Sequence, residues 1–118
     1  MISEVKSMMS SDIYDLMSYT PDDKKSFMFL IRVMVGANDE KGEESFDIEI
    51  CTPKWLMDNH NLAEIVLGKH KLIVFEFDMR RILEKVKKLF DNCSGKDWNE
   101  IAIKLSRIGH WEFEDYRE

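Results

Sequence analysis

The chain has only two cysteines, Cys51 and Cys93, in 118 residues. No CxxC pair or other metal-type spacing is present, so neither a zinc site nor a small disulfide framework is expected. Two reduced thiols suit a cytosolic protein. Long apolar runs are also missing. The most apolar segment, Phe27–Ile31, is cut by Arg32, which excludes a membrane-spanning helix. The first residues carry Glu4, Asp12 and Asp15 without an apolar core, unlike a secretory signal, so a cytoplasmic location is expected. Repeats, low-complexity tracts and interdomain linkers are absent. A length of 118 residues with 44% hydrophobic content predicts one domain over 1–118 with its own core.

Positive charge is in deficit. The net charge is −6, and it is spread unevenly. Residues 1–66 hold thirteen acids against six bases, residues 67–110 six acids against ten bases, and residues 111–118 four acids against one base. Such a field repels phosphate backbones and attracts basic partners, which argues against nucleic-acid binding as the main activity.

Periodicity organises the rest. Ile2–Met9 alternates weakly and reads as an edge strand. Residues 10–26 are polar and turn-rich, a long connection. FMFLIRVMV (27–35) is apolar on both faces apart from Arg32, the profile of a central strand covered on most of both sides. Gly36 and Gly42 bracket a polar hairpin. In SFDIEIC, Phe46, Ile48 and Ile50 point one way, and Asp47 and Glu49 the other. KLIVFEF (71–77) is a fourth strand. DMRRILEKVKKLF then spaces Met79, Ile82, Leu83, Val86, Leu89 and Phe90 along one helical stripe, with Arg80, Arg81, Lys85, Lys87 and Lys88 opposite. A second helix is capped by Asp97, with Glu100 as its capping-box partner. Trp98, Ile101, Ala102, Leu105 and Ile108 form its buried stripe, and Gly109 is placed to end it in a left-handed conformation. The pattern predicts an α+β fold: an antiparallel sheet of about four strands packed against two C-terminal helices, plus a short helix after the third strand.

That short helix decides how Cys51 is read. Thr52 stands at the N-cap and Pro53 at the first helical position, where its missing N–H costs nothing. Cys51 is then the last strand residue. A thiolate nucleophile needs a base or a helix N-terminus. His60, His70 and His110 lie in unrelated polar contexts, and free cysteine is usually a buried apolar side chain. A structural thiol is the stronger reading. HExxH, a Gly-rich phosphate loop and G-x-S-x-G are all absent. No catalytic residue, cofactor or metal ligand is assigned. Glu112 and Glu114 share a face if the tail is extended, but an acid–base pair needs a pocket that separates their pKa values.

Three segments together resemble the immunity protein 8 family of bacterial polymorphic-toxin and contact-dependent inhibition systems. They are GEESFDIEICTPKWL (42–56), GKHKLIVFEFDMRRI (68–82) and SGKDWNEIAIKLSRIGHWEFEDY (94–116). CTPKWL, LIVFEFD and GHWEFEDY are unusual strings, and they occur in the family's order over about 100 residues. The resemblance implies a non-enzymatic cytosolic protein that binds and neutralises a secreted toxin domain, commonly a nuclease. The implied partner is the C-terminal domain of the cognate toxin, with no nucleic acid or membrane, and a monomer is favoured.

An acidic surface suits a basic nuclease, because it steers association and mimics phosphate charge. The candidate toxin contacts are Asp39, Glu40, Glu43 and Glu44 on the hairpin, Asp47 and Glu49 on the strand, and Trp111, Glu112, Glu114 and Asp115 in the tail. For any one acid, a merely solvated face is about as probable. Trp55 and Trp98 read as core anchors. Two alternatives remain: a small enzyme using Cys51 or the tail carboxylates, and an adaptor presenting the basic helix Arg80–Lys88.

Overall fold

In the computed structural model residues 1–114 are described. Period-2 alternation forms the strands as expected. β1 spans Ser3–Met9, β2 Met28–Ala37 and β3 Glu44–Cys51. All three are antiparallel neighbours, with β1 at one edge of the sheet. Phe29, Ile31, Val33 and Val35 of β2, with Phe46, Ile48 and Ile50 of β3, are almost wholly buried on one face. Helix α2 (Met79–Phe90) and helix α3 (Trp98–Leu105) close that face. Met79, Ile82, Val86 and Phe90 are the buried members of the expected α2 stripe, and Ile101, Ala102 and Leu105 those of α3.

The short helix α1 is Pro53–Asn59. The Thr52 hydroxyl accepts from the Trp55 N–H and from the Phe27 N–H, both at 3.2 Å. It therefore caps α1 and fixes the entry to β2 with one oxygen. Asp97 caps α3 by accepting from the Glu100 N–H at 2.9 Å.

Four details depart from expectation. The face of β2 away from the helices is not covered: Arg32 is exposed, and Met28, Leu30 and Met34 are half-buried. Arg32 bonds Asp47 on this face, so the face is solvated and an apolar run does not require a second layer here.

The fourth strand is shorter than 71–77. β4 is Lys71–Ile73, and it lies parallel to β3. Pairing ends because β3 passes into the α1 cap, the last bond running from the Val74 N–H to the Cys51 carbonyl at 2.9 Å. Phe77 instead turns inward, edge-on to Tyr19 and Phe27.

A fifth strand, β5 (His110–Trp111), pairs with β3 beside Phe46 and Asp47. Two residues are too few to show a period.

Gly109 is not left-handed. Its requirement is steric: a Cβ there would lie 2.9 Å from the Phe90 ring and 3.2 Å from the Asp47 carbonyl oxygen. The left-handed residue near a helix end is Asn92, just after α2, with φ 60°.

The first turn of β1 is locked to the α2–α3 connection. Buried Ser3 donates from its hydroxyl to the Phe90 carbonyl at 2.7 Å and accepts from the Cys93 N–H at 2.9 Å. The Val5 N–H donates to Asp91 at 2.7 Å. Residues 90–93 thereby hold the sheet edge to the helices.

Candidate functional site

Cys51 is fully buried. Burial pushes its thiol pKa up, and the charge of Glu49 adds to the effect. Both oppose thiolate formation, so the residue has the character of a packed apolar side chain rather than a nucleophile.

The proposed acidic contacts fall into three settings. Asp39, Glu40 and Glu43 are exposed on the β2–β3 hairpin, and none forms an ion pair among the described residues. Lys6 takes the Glu40 carbonyl rather than its carboxylate. Among the described residues these three are unpaired negative charges at the hairpin end of the β2–β3 ladder.

Asp47, Glu49 and Glu114 lie on the open face of the sheet, and each has a cation. Arg32 holds Asp47 through two bonds, at 2.8 and 3.0 Å, and the pairing raises the guanidinium pKa. Lys71 pairs with Glu49 across the parallel β3–β4 ladder. Glu114 lies 3.3 Å from Lys69 and 3.4 Å from His110. A charge already paired steers an incoming cation less than a free one.

Glu44 is different again. One of its oxygens accepts from the Trp98 indole at 2.7 Å and from the Trp111 indole at 2.9 Å. Trp111 also stacks on buried Phe46, with ring centroids 6.4 Å apart. Glu44 thus joins β3, α3 and β5 in one half-buried knot. Glu112 closes the same end, its carboxylate accepting from the Ser45 N–H at 2.7 Å. Asp115 lies outside the described residues.

The histidines are not all in separate contexts. His70 and His110 meet edge-on at 5.8 Å, over Glu114. His70 has φ 60°, a left-handed conformation that is uncommon outside glycine, and its ring bonds the Ser106 carbonyl at 2.7 Å. His60 stands apart, paired with Glu64 at 2.8 Å. Among the described residues no three His, Cys, Asp or Glu side chains are grouped to hold a metal ion. No described helix is long and apolar enough to cross a membrane.

One surface was invisible in the sequence. The segment NLAEIVL (61–67) follows α1 without a strand or helix, and its apolar side chains face solvent: Leu62 is 106% exposed and Ile65 99%. Phe75, past the end of β4, is 79% exposed. The available signal was an apolar heptapeptide with neither period.

A search for similar proteins found no match among curated proteins or solved structures. The family model described as Immunity protein 8 matches residues 3–116. That span holds every strand and helix and both acidic regions. The chain therefore belongs to the Immunity protein 8 family, whose members neutralise toxins by binding them.

Proposed function

We propose that this chain is the cytosolic antidote to a cognate toxin domain of nuclease type, acting by binding and not by catalysis. The observation that carries the reading is the family match over 3–116. The interior adds support, because the one thiol placed at a helix start is buried with a raised pKa. The nuclease assignment draws on charge. Nucleases that grip phosphate present a basic surface, and this chain carries −6 with Asp39, Glu40 and Glu43 free at one end. Glu112 stands at the same end of β3, where its carboxylate accepts from the Ser45 N–H.

The experiment expresses the C-terminal domain encoded immediately upstream of this gene, with and without the chain. Co-expression is expected to rescue growth, and the purified chain to stop nucleic-acid cleavage in vitro. For the charge component, Asp39, Glu40 and Glu43 are reversed to lysine and the association rate is followed against ionic strength. Association should slow and its salt dependence flatten, with melting unchanged. Growth arrest that the chain does not relieve overturns the antidote reading. A parental rate and salt slope in the reversed protein overturns steering by the hairpin.

A further inference from the structure

We infer that the apolar surface at the C-terminal end of β3 is the principal docking site for the toxin domain. Its walls are Met57 on α1, Val66 in the following segment, Ile73 of β4 and Phe75 beyond it, and the same segment holds the exposed Leu62, Ile65 and Leu67. This inference rests on the toxin-neutralising reading and assigns it a place on the molecule.

Two concavities meet at Ile73. One, of about 330 Å³, runs between α1 and the 60–68 segment, with Met57 and Val66 on its walls. The other, of about 410 Å³, lies between Phe75 and the first turns of α2. Both are shallow and open, suited to side chains of another protein rather than to an enclosed small molecule. Met57, Leu62, Ile65, Leu67 and Phe75 are all more than three-quarters exposed. Exposed apolar side chains gathered along one short segment and the strand beside it are what protein-binding surfaces present, whereas scattered single ones are ordinary. The adjacent edge of β4 is also free: among the described residues the strand is bonded only to β3. Its backbone can therefore pair with a partner segment while the apolar side chains fill the flanking hollows.

The occupant is the toxin domain and not a second copy. The walls of the two concavities carry Glu64, Glu76 and Asp78 against Lys71, Arg81 and Lys85, so charge there is balanced and the occupant is set by the family, whose members bind a toxin protein. The family supplies a protein ligand that must be held tightly, and tight interfaces centre on desolvated apolar anchors, not on rim acids.

The test uses the catalytically inactivated C-terminal domain encoded upstream, the purified full chain, and the variant Leu62→Ser, Ile65→Ser, Leu67→Ser, Phe75→Ser. Exposed side chains are replaced, so the variant is expected to melt like the parent. Its affinity should fall on the order of 30-fold or more, mainly through faster dissociation. Backbone hydrogen exchange of the parent supplies a readout independent of the variant's folding. Amides of residues 61–76 should slow in the complex. Parental affinity in the folded variant, or unchanged exchange over 61–76, overturns this docking site while leaving the antidote reading intact. A parental dimer dissolved by the variant with toxin affinity retained also overturns it, by giving the surface to a second copy. Failure of the parent to bind at all overturns the antidote reading, and this inference with it.

Discussion

Replacing Glu44 separates a structural carboxylate from a toxin contact. Its oxygen takes both indole N–H groups, from Trp98 at 2.7 Å and Trp111 at 2.9 Å. Glu44→Leu removes the acceptor of both bonds. A buried donor left without a partner costs about 1–3 kcal/mol, and both indoles are half-buried, so water recovers part of that. The two together set a loss near 2–4 kcal/mol. For a domain of this size each kcal/mol moves the melting temperature about 3–5 °C, so a fall of roughly 6–20 °C is expected. Glu44→Gln keeps an amide oxygen able to accept both bonds and gives up only charge assistance, a loss of about 1 kcal/mol.

The assay is thermal unfolding followed by circular dichroism, with tryptophan fluorescence reporting on both indoles. The order parent, then glutamine, then leucine is diagnostic. If Glu44→Leu melts within about 3 °C of the parent, the knot is not a structural element and the reasoning is refuted. If Glu44→Gln keeps parental stability but loses toxin binding, the charge itself touches the toxin.

Three further perturbations follow from the same structure. Ser3→Ala strands the Phe90 carbonyl and the Cys93 N–H in the interior, and urea unfolding should register a loss of about 2 kcal/mol, with little change if water enters the site. The raised Cys51 pKa means that, above about pH 8.5, the unfolded chain loses this proton before the folded one does. Stability should therefore decline as pH rises past that point, more steeply in the parent than in Cys51→Ala, and a thiol reagent at pH 8 should label Cys51 only on unfolding. Trp98→Ala removes a half-buried indole at the start of α3 and should cost about 3 kcal/mol; a variant that melts like the parent but no longer binds toxin would place Trp98 in the interface.

What the sequence made legible was local. Thr52-Pro53 and Asp97 announce helix starts because a cap needs only residues a few positions away. The α2 stripe and the β3 alternation are periods within one element, and both were correctly assigned except at Cys51, which alternation puts beside Asp47 and Glu49 but which is buried where β3 ends. The features that escaped are long-range. Glu44 meets its indole partners 54 and 67 residues along the chain. β4 lies parallel to β3 only because α1 and the segment after it return the chain in the same direction. Gly109 looked like a helix terminator, yet its need is a close approach to Phe90 and Asp47, elements distant in sequence. The acids were countable from the sequence, but their pairing was not. Arg32 and Lys71 pair with Asp47 and Glu49 through strand register, whereas the hairpin acids Asp39, Glu40 and Glu43 form no ion pair among the described residues.

The free acids and the apolar surface stand at opposite ends of one strand. β3 has eight residues, so Glu44 and Cys51 are separated by roughly 25 Å along the sheet. The hairpin acids lie beyond the first end; Ile73, Phe75 and α1 lie beyond the second. A standard interface of ~800 Å² is about 30 Å across, so a docked domain centred on the apolar end extends about 15 Å from it and leaves the hairpin acids outside the close contact. Charge at or outside the edge of a contact governs encounter, while desolvated apolar contact governs residence. The two surfaces should therefore separate kinetically. Reversal of Asp39, Glu40 and Glu43 should change the association rate and its salt slope with dissociation nearly parental. The serine variant at 62, 65, 67 and 75 should do the opposite. Combining the two sets should multiply their effects on affinity, because sites this far apart share no partner side chain and their free energies add. A combined loss well short of that product would mean that the toxin contacts both ends through one coupled element, and the division between steering and holding would fail.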